Sequence, residues 1–223
     1  MPEHSIKKKL GYAAMTEIDD GDVVGLGTGT TASEFIKVLA ESKKQVTCVA
    51  SSEASLKLAN KLHLRTVDLE SVPRVDITID GADQVSYEKQ LIKGWGGALL
   101  REKILAAASD RVIILIEESK YKKKLGKTKL PIEITPWGYS STIRHLESAG
   151  FPGKMRTKNG EGFYITDNHN YIYDTNLDYF LDEPHEVEKI IKTITGVVEV
   201  GIFCHLCNCV LIGKSSGIIE RIE

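Results

Sequence analysis

Hydrophobic positions in the first half of the 223-residue chain alternate between short apolar runs and segments with helical spacing. The runs at 22–26 and 112–116 predict buried strands. Phe35 and Leu39 lie on one face of a helix predicted at 32–40. Short apolar strands that alternate with helices are typical of a parallel sheet covered on both faces. The pattern therefore predicts an α/β fold with a Rossmann-like, mostly parallel sheet covered by helices.

The spacing of apolar residues changes after Lys120, where prolines interrupt an extended stretch at 130–136. Further elements are predicted, as strands at 162–166, 171–174, 197–203 and 210–212 and as helices at 141–149 and 186–193. This set is typical of a smaller α+β domain inserted before the last strands. We therefore predict a small α+β domain at 126–202 and a Rossmann-like domain at 1–125 plus 203–223.

Composition narrows the class of protein. Lys and Arg total 29 against 31 for Asp and Glu, and the net charge of −2 offers no global field for nucleic acid or an acidic membrane. No apolar run reaches the ~20 residues that span a bilayer, and the polar segment 1–9 does not resemble a signal peptide. Four cysteines are too few for a disulfide scaffold at this length. A soluble, reduced, cytoplasmic protein is expected.

A Gly/Thr-rich turn, GLGTGTTA at 25–32, separates a predicted strand from a predicted helix. Glycines let the backbone approach an anion, and the N-terminus of the following helix offers N–H groups. The hydroxyl groups of Thr28, Thr30 and Thr31 add donors that suit a terminal phosphate. A Walker loop is excluded because no Gly-Lys-Ser/Thr sequence ends the turn. Two alternatives stay open: a dinucleotide site, since Gly27-x-Gly29-x-x-Ala32 fits the loose fingerprint, and a tight turn without a ligand.

The segment DITIDGAD at 76–83 places two carboxylates where a strand ends. The strand delivers Asp80 to its carboxyl end, where ligands bind in open α/β sheets. Gly81 permits a sharp turn, so Asp83 is expected to face the same crevice. Such carboxylates are suited to proton transfer or to binding a divalent metal. The alternative is that both accept hydrogen bonds from local backbone N–H groups.

A glycine-rich turn precedes a predicted helix in KGWGGALLREK, residues 93–103. Lys93 is suited to neutralising an oxyanion beside exposed backbone N–H groups. Glu102 falls in the first turns of the helix, where the helix dipole favours the carboxylate and burial favours the neutral acid. These opposed effects predict a carboxylate basic enough to remove a carbon-bound proton. The alternative is that Glu102 pairs with Arg101 or Lys103 in water.

Lys120 ends a fourth segment, ESK at 118–120, directly after the predicted strand 112–116. We expect it at the same edge of the sheet as the other candidate residues. The lysine run at 122–124 predicts a solvated face rather than a nucleic-acid site, because no aromatic or basic stripe continues from it.

The segment CHLCNC at 204–209 is the remaining candidate for a metal site. Its spacing is cramped, it lies between two predicted apolar strands, and no second Cys/His group stands at zinc-finger distance. We favour a reduced hairpin turn, with structural zinc as the alternative. Neither a Ser-His-Asp nor an HExxH arrangement is apparent in the sequence.

The four segments, in this order and spacing, resemble the type A ribose-5-phosphate isomerase family. Any one of these motifs is weak, but the ordered set is specific. Further matching segments extend the resemblance over nearly the whole chain: LGKTKLPIEITP at 125–136, TDNHN at 166–170 and GVVEVGIF at 196–203.

The resemblance implies a cofactor-independent aldose–ketose isomerase of the pentose phosphate pathway, which interconverts ribose 5-phosphate and ribulose 5-phosphate. We expect no metal, because Lys93 can provide the positive charge that a cation would otherwise bring. The large domain would then be the catalytic one. Glu102 matches the family's catalytic base, which transfers a proton between C1 and C2. The resemblance further assigns ring opening to Asp80, transfer of hydroxyl protons to Asp83 and stabilisation of the enediolate to Lys93.

The resemblance also implies how the substrate is held, with its phosphate near Thr30, Thr31 and Lys120 and with Lys7 as a further candidate. The implied substrate-binding residues are Thr28, Gly29, Thr30, Thr31, Asp80, Gly81, Ala82, Asp83, Lys93, Gly94, Trp95, Gly96 and Lys120. The implied partners are a small sugar phosphate and copies of the same chain, as a homodimer or a dimer of dimers. Neither nucleic acid nor a membrane is expected as a partner.

Two residues depart from the family pattern. Trp95 stands where a KGGG-like turn commonly has glycine, which leaves the shape of that turn open. His169 stands where the TDNGN pattern has glycine, in a predicted turn of the small domain.

Two other functions are compatible with parts of the sequence. A nucleotide-dependent oxidoreductase would use the glycine pattern at 27–32 for its cofactor, and cofactor binding would distinguish it. A sugar-phosphate sensor with a related α/β domain would need a DNA-binding helix-turn-helix, for which the segment before the first strand has no room.

Overall fold

The computed structural model describes residues 5–223. In that range the α-helices are α1 (Ile6–Ala14), α2 (Thr30–Ser42), α3 (Glu53–Lys61), α4 (Leu99–Ala107), α5 (Tyr139–Ser148) and α6 (Pro184–Lys192). The strands are β1 (Val23–Leu26), β2 (Thr47–Ala50), β3 (Val75–Gly81), β4 (Gln84–Ser86), β5 (Leu91–Ile92), β6 (Ser109–Glu117), β7 (Tyr121–Lys122), β8 (Gly126–Ile134), β9 (Gly153–Met155), β10 (Thr157–Lys158), β11 (Glu161–Phe163), β12 (Tyr171–Phe180), β13 (Val197–Val200), β14 (Ile202–Phe203), β15 (Cys209–Gly213) and β16 (Ile219–Ile222). No helix among residues 5–223 has the length and apolar character needed to cross a membrane.

The chain forms two compact units. The first consists of Met1–Ala82, Arg101–Tyr121 and His205–Glu223, of which the residues before Ser5 lie outside the described part. The second consists of Asp83–Leu100 and Lys122–Cys204.

A six-stranded sheet in the order β16-β15-β6-β3-β1-β2 forms the centre of the first unit. Neighbouring strands pair in parallel except β16, which pairs antiparallel with β15. The predicted α/β fold with a mostly parallel sheet is therefore confirmed.

Both faces of this sheet are packed. Cys48 and Val49 are successive residues of β2, so their side chains point to opposite faces. Cys48 belongs to a large apolar cluster that contains Leu10 of α1 and Phe35 of α2. Val49 packs in a smaller cluster with Leu105 of α4. Helices therefore cover both sides of the parallel strands, which explains why those strands are nearly continuous apolar runs.

The second unit contains an antiparallel sheet in the order β13-β8-β12-β9. Its apolar core joins this sheet to α5 and α6, through residues such as Leu146 and Ile191. A smaller antiparallel sheet pairs β4 with β5 and β5 with β14. The α+β character predicted for the second half of the chain fits these elements.

Residues 83–100 belong to the second unit, whereas the division drawn from the sequence assigns them to the large domain. The physical reason is strand pairing: Leu91 and Ile92 of β5 lie opposite Phe203 and Ile202 of β14. The pairing also divides the predicted strand at 197–203 into β13 and β14, with Gly201 at the break. The predicted domain division stays a prediction.

Glu133, on β8, is a fully buried carboxylate in the second unit. Its Oε1 accepts hydrogen bonds from Thr166 Oγ1 at 2.9 Å, Asn170 Nδ2 at 2.9 Å and Asn168 Nδ2 at 3.3 Å. Within the described residues, its buried Oε2 accepts no hydrogen bond. Glu133 thereby fixes the 166–170 turn, in which His169 adopts a left-handed φ of 62°. That conformation is one that glycine adopts without strain, which explains the glycine in the family pattern.

We expect Glu133→Met to lower the free energy of unfolding by about 2–4 kcal/mol, because the donors of the 166–170 turn lose their buried acceptor. Urea denaturation of the purified protein measures the change. The matched control is Glu133→Gln, which keeps one acceptor oxygen and is expected to lose less. Equal unfolding midpoints for Glu133→Met and the unchanged protein would contradict this account of the turn.

Candidate active site

The Gly/Thr turn lies between β1 and α2 in the first unit. Gly29 precedes the helix with φ 103°, a conformation that favours glycine. Gly27 has no room for a side chain, since a Cβ there would lie 2.0 Å from Asp80 Oδ1. Thr31 is buried, whereas Thr30 is exposed at the first turn of α2. The turn therefore presents a helix N-terminus to solvent, as an anion site requires.

Asp80 lies at the end of β3 and is only 3% exposed. Its Oδ1 accepts hydrogen bonds from Thr28 N at 3.0 Å and from Gly81 N at 2.7 Å. Asp80 therefore does accept hydrogen bonds from local backbone N–H groups, which was the alternative to a role in proton transfer or metal binding. The same contacts fix the side chain of Asp80 against the Gly/Thr turn.

A group of serines that sequence reasoning missed surrounds Thr28. Its Oγ1 lies 2.8 Å from Ser52 Oγ and 3.0 Å from Ser51 Oγ. Ser55 Oγ in turn donates to Gly27 O at 2.6 Å. Ser52 also caps α3 by accepting a hydrogen bond from Ser55 N. In the sequence these residues are marked only by the Ser-Ser pair before a predicted helix, which is typical of a helix cap. Their hydrogen bonds with Thr28 depend on how distant segments fold together.

Glu102 lies in the first turn of α4 and is only 5% exposed. Such burial excludes a carboxylate that simply pairs with Arg101 or Lys103 in water. Arg101 Nη1 lies 3.6 Å from Glu53 Oε1. The combination expected from the sequence, a helix N-terminus together with burial, is present at Glu102.

Two lysines lie beside the candidate segments of the first unit. Lys120 Nζ donates to Ala82 O at 2.7 Å, directly after β3. Lys7 Nζ donates to Thr30 Oγ1 at 2.9 Å and lies 3.4 Å from Glu117. Positive charge is therefore available at both the threonine turn and the end of β3.

Three of the four candidate segments lie at one edge of the parallel sheet. The Gly/Thr turn follows β1, Asp80 and Gly81 end β3, and Lys120 follows β6. These strands are parallel neighbours in the order β6-β3-β1, so their carboxyl ends lie together. This arrangement agrees with the expectation drawn from the sequence for the segments of the first unit.

The remaining candidate residues lie in the second unit. Lys93 follows β5 and is only 4% exposed. Its backbone N donates to Gly201 O at 2.8 Å, and its Nζ lies 5.7 Å from the centre of the Phe203 ring. Asp83 Oδ2 accepts a hydrogen bond from Trp95 N at 2.9 Å. The 93–96 turn and Asp83 are therefore in direct contact.

Arg156 and Tyr164 hold the carbonyl groups of this turn, and sequence reasoning missed both. Arg156 Nη1 donates to Gly94 O and to Trp95 O, each at 3.0 Å. The rest of its guanidinium donates to the carboxylate of Asp174. Tyr164 Oη donates to Gly96 O at 3.1 Å.

Burial, assisted by the negative charge of Asp167, raises the pKa of the Tyr164 phenol, so this hydrogen-bond donor keeps its proton to a higher pH than an exposed tyrosine does. In a trans peptide the C=O of one residue and the N–H of the next point in opposite directions. The anchored carbonyls therefore turn the N–H groups of Trp95 and Gly96 away from Arg156. The N–H of Trp95 reaches the Asp83 carboxylate.

Trp95 fits the turn although the family pattern has glycine there. Its φ is negative, and the positive φ values of the segment fall on Gly94 at 101° and Gly97 at 87°. The indole is partly exposed, and its Nε1 donates to Lys129 O at 3.3 Å. The departure therefore leaves the backbone shape of the turn unstrained.

The segment at 204–209 is not a hairpin turn, so that prediction was wrong. β14 pairs with β5, whereas β15 pairs with β6 and β16. Cys207 Sγ donates to Cys209 O at 3.4 Å. All four cysteines are free thiols, and burial raises the pKa of Cys48 to about 12.

Comparison with known proteins places these features in one family. The family model described as ribose 5-phosphate isomerase A (phosphoriboisomerase A) matches residues 47–217. The chain is 43% identical over 204 residues to ribose-5-phosphate isomerase A of Chlamydia felis, covering 90% of this chain and 88% of the relative. It is 38% identical over 232 residues to the protein of that name from Rhodopseudomonas palustris (strain BisB5), covering 99% and 100%.

Solved structures agree over the same length. A D-ribose-5-phosphate isomerase in complex with phospho-erythronic acid superimposes with a TM-score of 0.93 at 34% identity, covering 98% of this chain and 97% of that one. Ribose 5-phosphate isomerase from Plasmodium falciparum gives a TM-score of 0.91 at 39% identity, covering 97% of both chains. The chain therefore belongs to the ribose 5-phosphate isomerase A family.

Proposed function

We propose that this protein is an aldose–ketose isomerase that interconverts D-ribose 5-phosphate and D-ribulose 5-phosphate in the non-oxidative pentose phosphate pathway. The observation that carries the proposal is the contact of Asp80 with the Gly/Thr turn, in a chain that matches this family over nearly its full length. The relatives and solved structures named above are isomerases by name, which favours an isomerase over an oxidoreductase or a sugar-phosphate sensor.

The chemistry requires a base, positive charge for an oxyanion and a phosphate anchor. We assign the base to Glu102: its carboxylate removes the proton from C2 of the open-chain aldose and returns it to C1. The electron pair of the broken C–H bond moves to form an enediolate, whose negative oxygen is assigned to Lys93. A hydroxyl proton moves between the two oxygens, so the reaction needs no redox cofactor.

The other carboxylates take the remaining proton transfers in this proposal. Asp80 is assigned the opening of the furanose ring, and Asp83 the hydroxyl protons. Asp83 accepts a hydrogen bond from Trp95 N, and Asp80 accepts one from Thr28 N. These hydrogen bonds support the assigned roles, because they hold both carboxylates in fixed orientations.

The phosphate is assigned to Thr30 and Thr31 at the N-terminus of α2, with Lys120 and Lys7 as cationic groups. The contact of Lys7 Nζ with Thr30 Oγ1 supports this assignment. A phosphate far from the reacting carbons supplies binding energy that fixes their position.

A coupled assay of the purified protein with ribose 5-phosphate tests the proposal. We expect turnover that needs no added nicotinamide cofactor and is unchanged by a chelator. Protein carrying Glu102→Gln, purified in parallel, controls for isomerase from the expression host. Absence of turnover, or turnover equal in both preparations, would contradict the proposal. The cytoplasmic location and the homodimer stay predictions.

A further inference from the structure

Three side chains with metal-binding atoms lie together in the second unit, away from the 93–96 turn in sequence. The potential ligand atoms of His185, Glu188 and Cys204 all lie within 4.8 Å of one another. We propose that these three residues form a binding site for a transition-metal dication of the zinc class.

The fold places the three ligands through two neighbouring elements. α6 begins at Pro184, and His185 and Glu188, three residues apart, share one side of its first turns. Ile191 buries the inner face of α6 in the apolar core. Cys204 follows β14 directly and packs against the same core. Both elements are therefore held by the core, which limits how far the ligands can separate.

The distances are close to those of a metal site. His185 Nδ1 lies 3.8 Å from Glu188 Oε2. Bond lengths of ~2.0–2.3 Å in a tetrahedral zinc site place ligand atoms about 3.3–3.8 Å apart. The His–Glu pair already meets this distance, and the Cys204 sulfur lies within 4.8 Å of the ligand atoms of both residues.

The ligand set selects the metal. A thiolate and an imidazole favour zinc and similar ions, whereas magnesium and calcium prefer all-oxygen sites. Three protein ligands leave a fourth position for water. The side chain of His185 is 59% exposed, whereas that of Glu188 is 17% exposed, so an ion can enter from solvent and still meet a partly buried carboxylate.

The metal would connect the start of α6 to the end of β14. The residue before Cys204 is Phe203, whose ring lies against Lys93. A metal bound at Cys204 would therefore also restrain the segment that packs against Lys93. Metal binding by these three residues does not depend on the proposed isomerase activity.

Cobalt(II) chloride provides the test, because a thiolate bound to cobalt absorbs in the near ultraviolet by charge transfer. We expect metal-free protein to develop this absorption, to saturate at a single equivalent and to lose it when zinc is added. Cys204→Ser is expected to abolish the absorption, and His185→Gln and Glu188→Gln to weaken cobalt affinity by at least ~10-fold. The matched control is Cys207→Ser, which is expected to bind as the unchanged protein does.

A second measurement needs no variant and therefore does not depend on how variants fold. Zinc chloride is expected to protect Cys204 of the unchanged protein from alkylation by iodoacetamide, as read by peptide mass. No charge-transfer absorption in the unchanged protein would overturn the proposal. Absorption that survives in Cys204→Ser or disappears in Cys207→Ser, or unprotected Cys204, would also overturn it.

Discussion

Replacing Glu102 by glutamine is expected to lower kcat at least ~100-fold while leaving substrate affinity largely unchanged. Removal of a general base typically costs 10²- to 10⁴-fold, and glutamine has the shape of glutamate without its basic carboxylate. Glu102 is buried in the first turn of α4, so a carboxylate dissolved in the buffer does not readily reach its position and take over as the base. Steady-state kinetics with ribose 5-phosphate in the coupled assay measure kcat and KM separately.

The matched control is Glu53→Gln. Glu53 also lies in the first turn of a helix, α3, but half of its side chain is exposed. This variant is expected to retain the kcat of the unchanged protein. If Glu102→Gln turned over at nearly the original rate, the assignment of the base would be wrong.

A loss of about 100-fold in kcat is also expected for Arg156→Lys, although we assign no chemical step to this residue. Arg156 is a positioning residue that fixes the carbonyls of Gly94 and Trp95. Lysine keeps the charge but cannot supply the fork of donors that bridges the turn and Asp174. A displacement of about 1 Å in a catalytic segment costs on the order of 100-fold. The same kinetics, with melting temperatures, measure the effect.

Several results would separate positioning from a general loss of stability. A positioning role predicts that kcat falls more than affinity, and that added guanidinium ion restores part of kcat in Arg156→Ala. That variant leaves Asp174 without its main cation, at a cost of about 3–5 kcal/mol, so its folded fraction must be checked. The control is Lys154→Gln, at an exposed position two residues before Arg156, and it is expected to leave kcat unchanged. Wild-type kcat in Arg156→Lys would contradict the role.

Apart from Glu102 in the first turn of α4, the parts of the candidate site that could be predicted from the sequence follow a strand. Parallel strands end at one edge, so the positions of Thr28, Asp80 and Lys120 follow once the strands are recognised. The apolar runs that form β1, β3 and β6 carry that information locally. The fold class could be predicted for the same reason.

Other parts depend on contacts between distant segments, which local patterns do not encode. Arg156 and Tyr164 look like ordinary polar residues of short strands and turns, and only the packing of the second unit brings them to the 93–96 turn. From the sequence, Ser51 is simply the residue before a helix cap. Its contact with Thr28 arises because β1 pairs with β2. The pairing of β5 with β14 likewise joins segments that no periodicity connects.

The hydrogen bond from Lys93 N to Gly201 O has a consequence for synthesis on the ribosome. Its donor is translated roughly a hundred residues before its acceptor, and closing so long a loop is slow. A nascent polypeptide can therefore build much of the parallel sheet early, while the loop that carries Lys93 waits for its acceptor. Lys93 therefore reaches its native position only after residue 201 has left the exit tunnel.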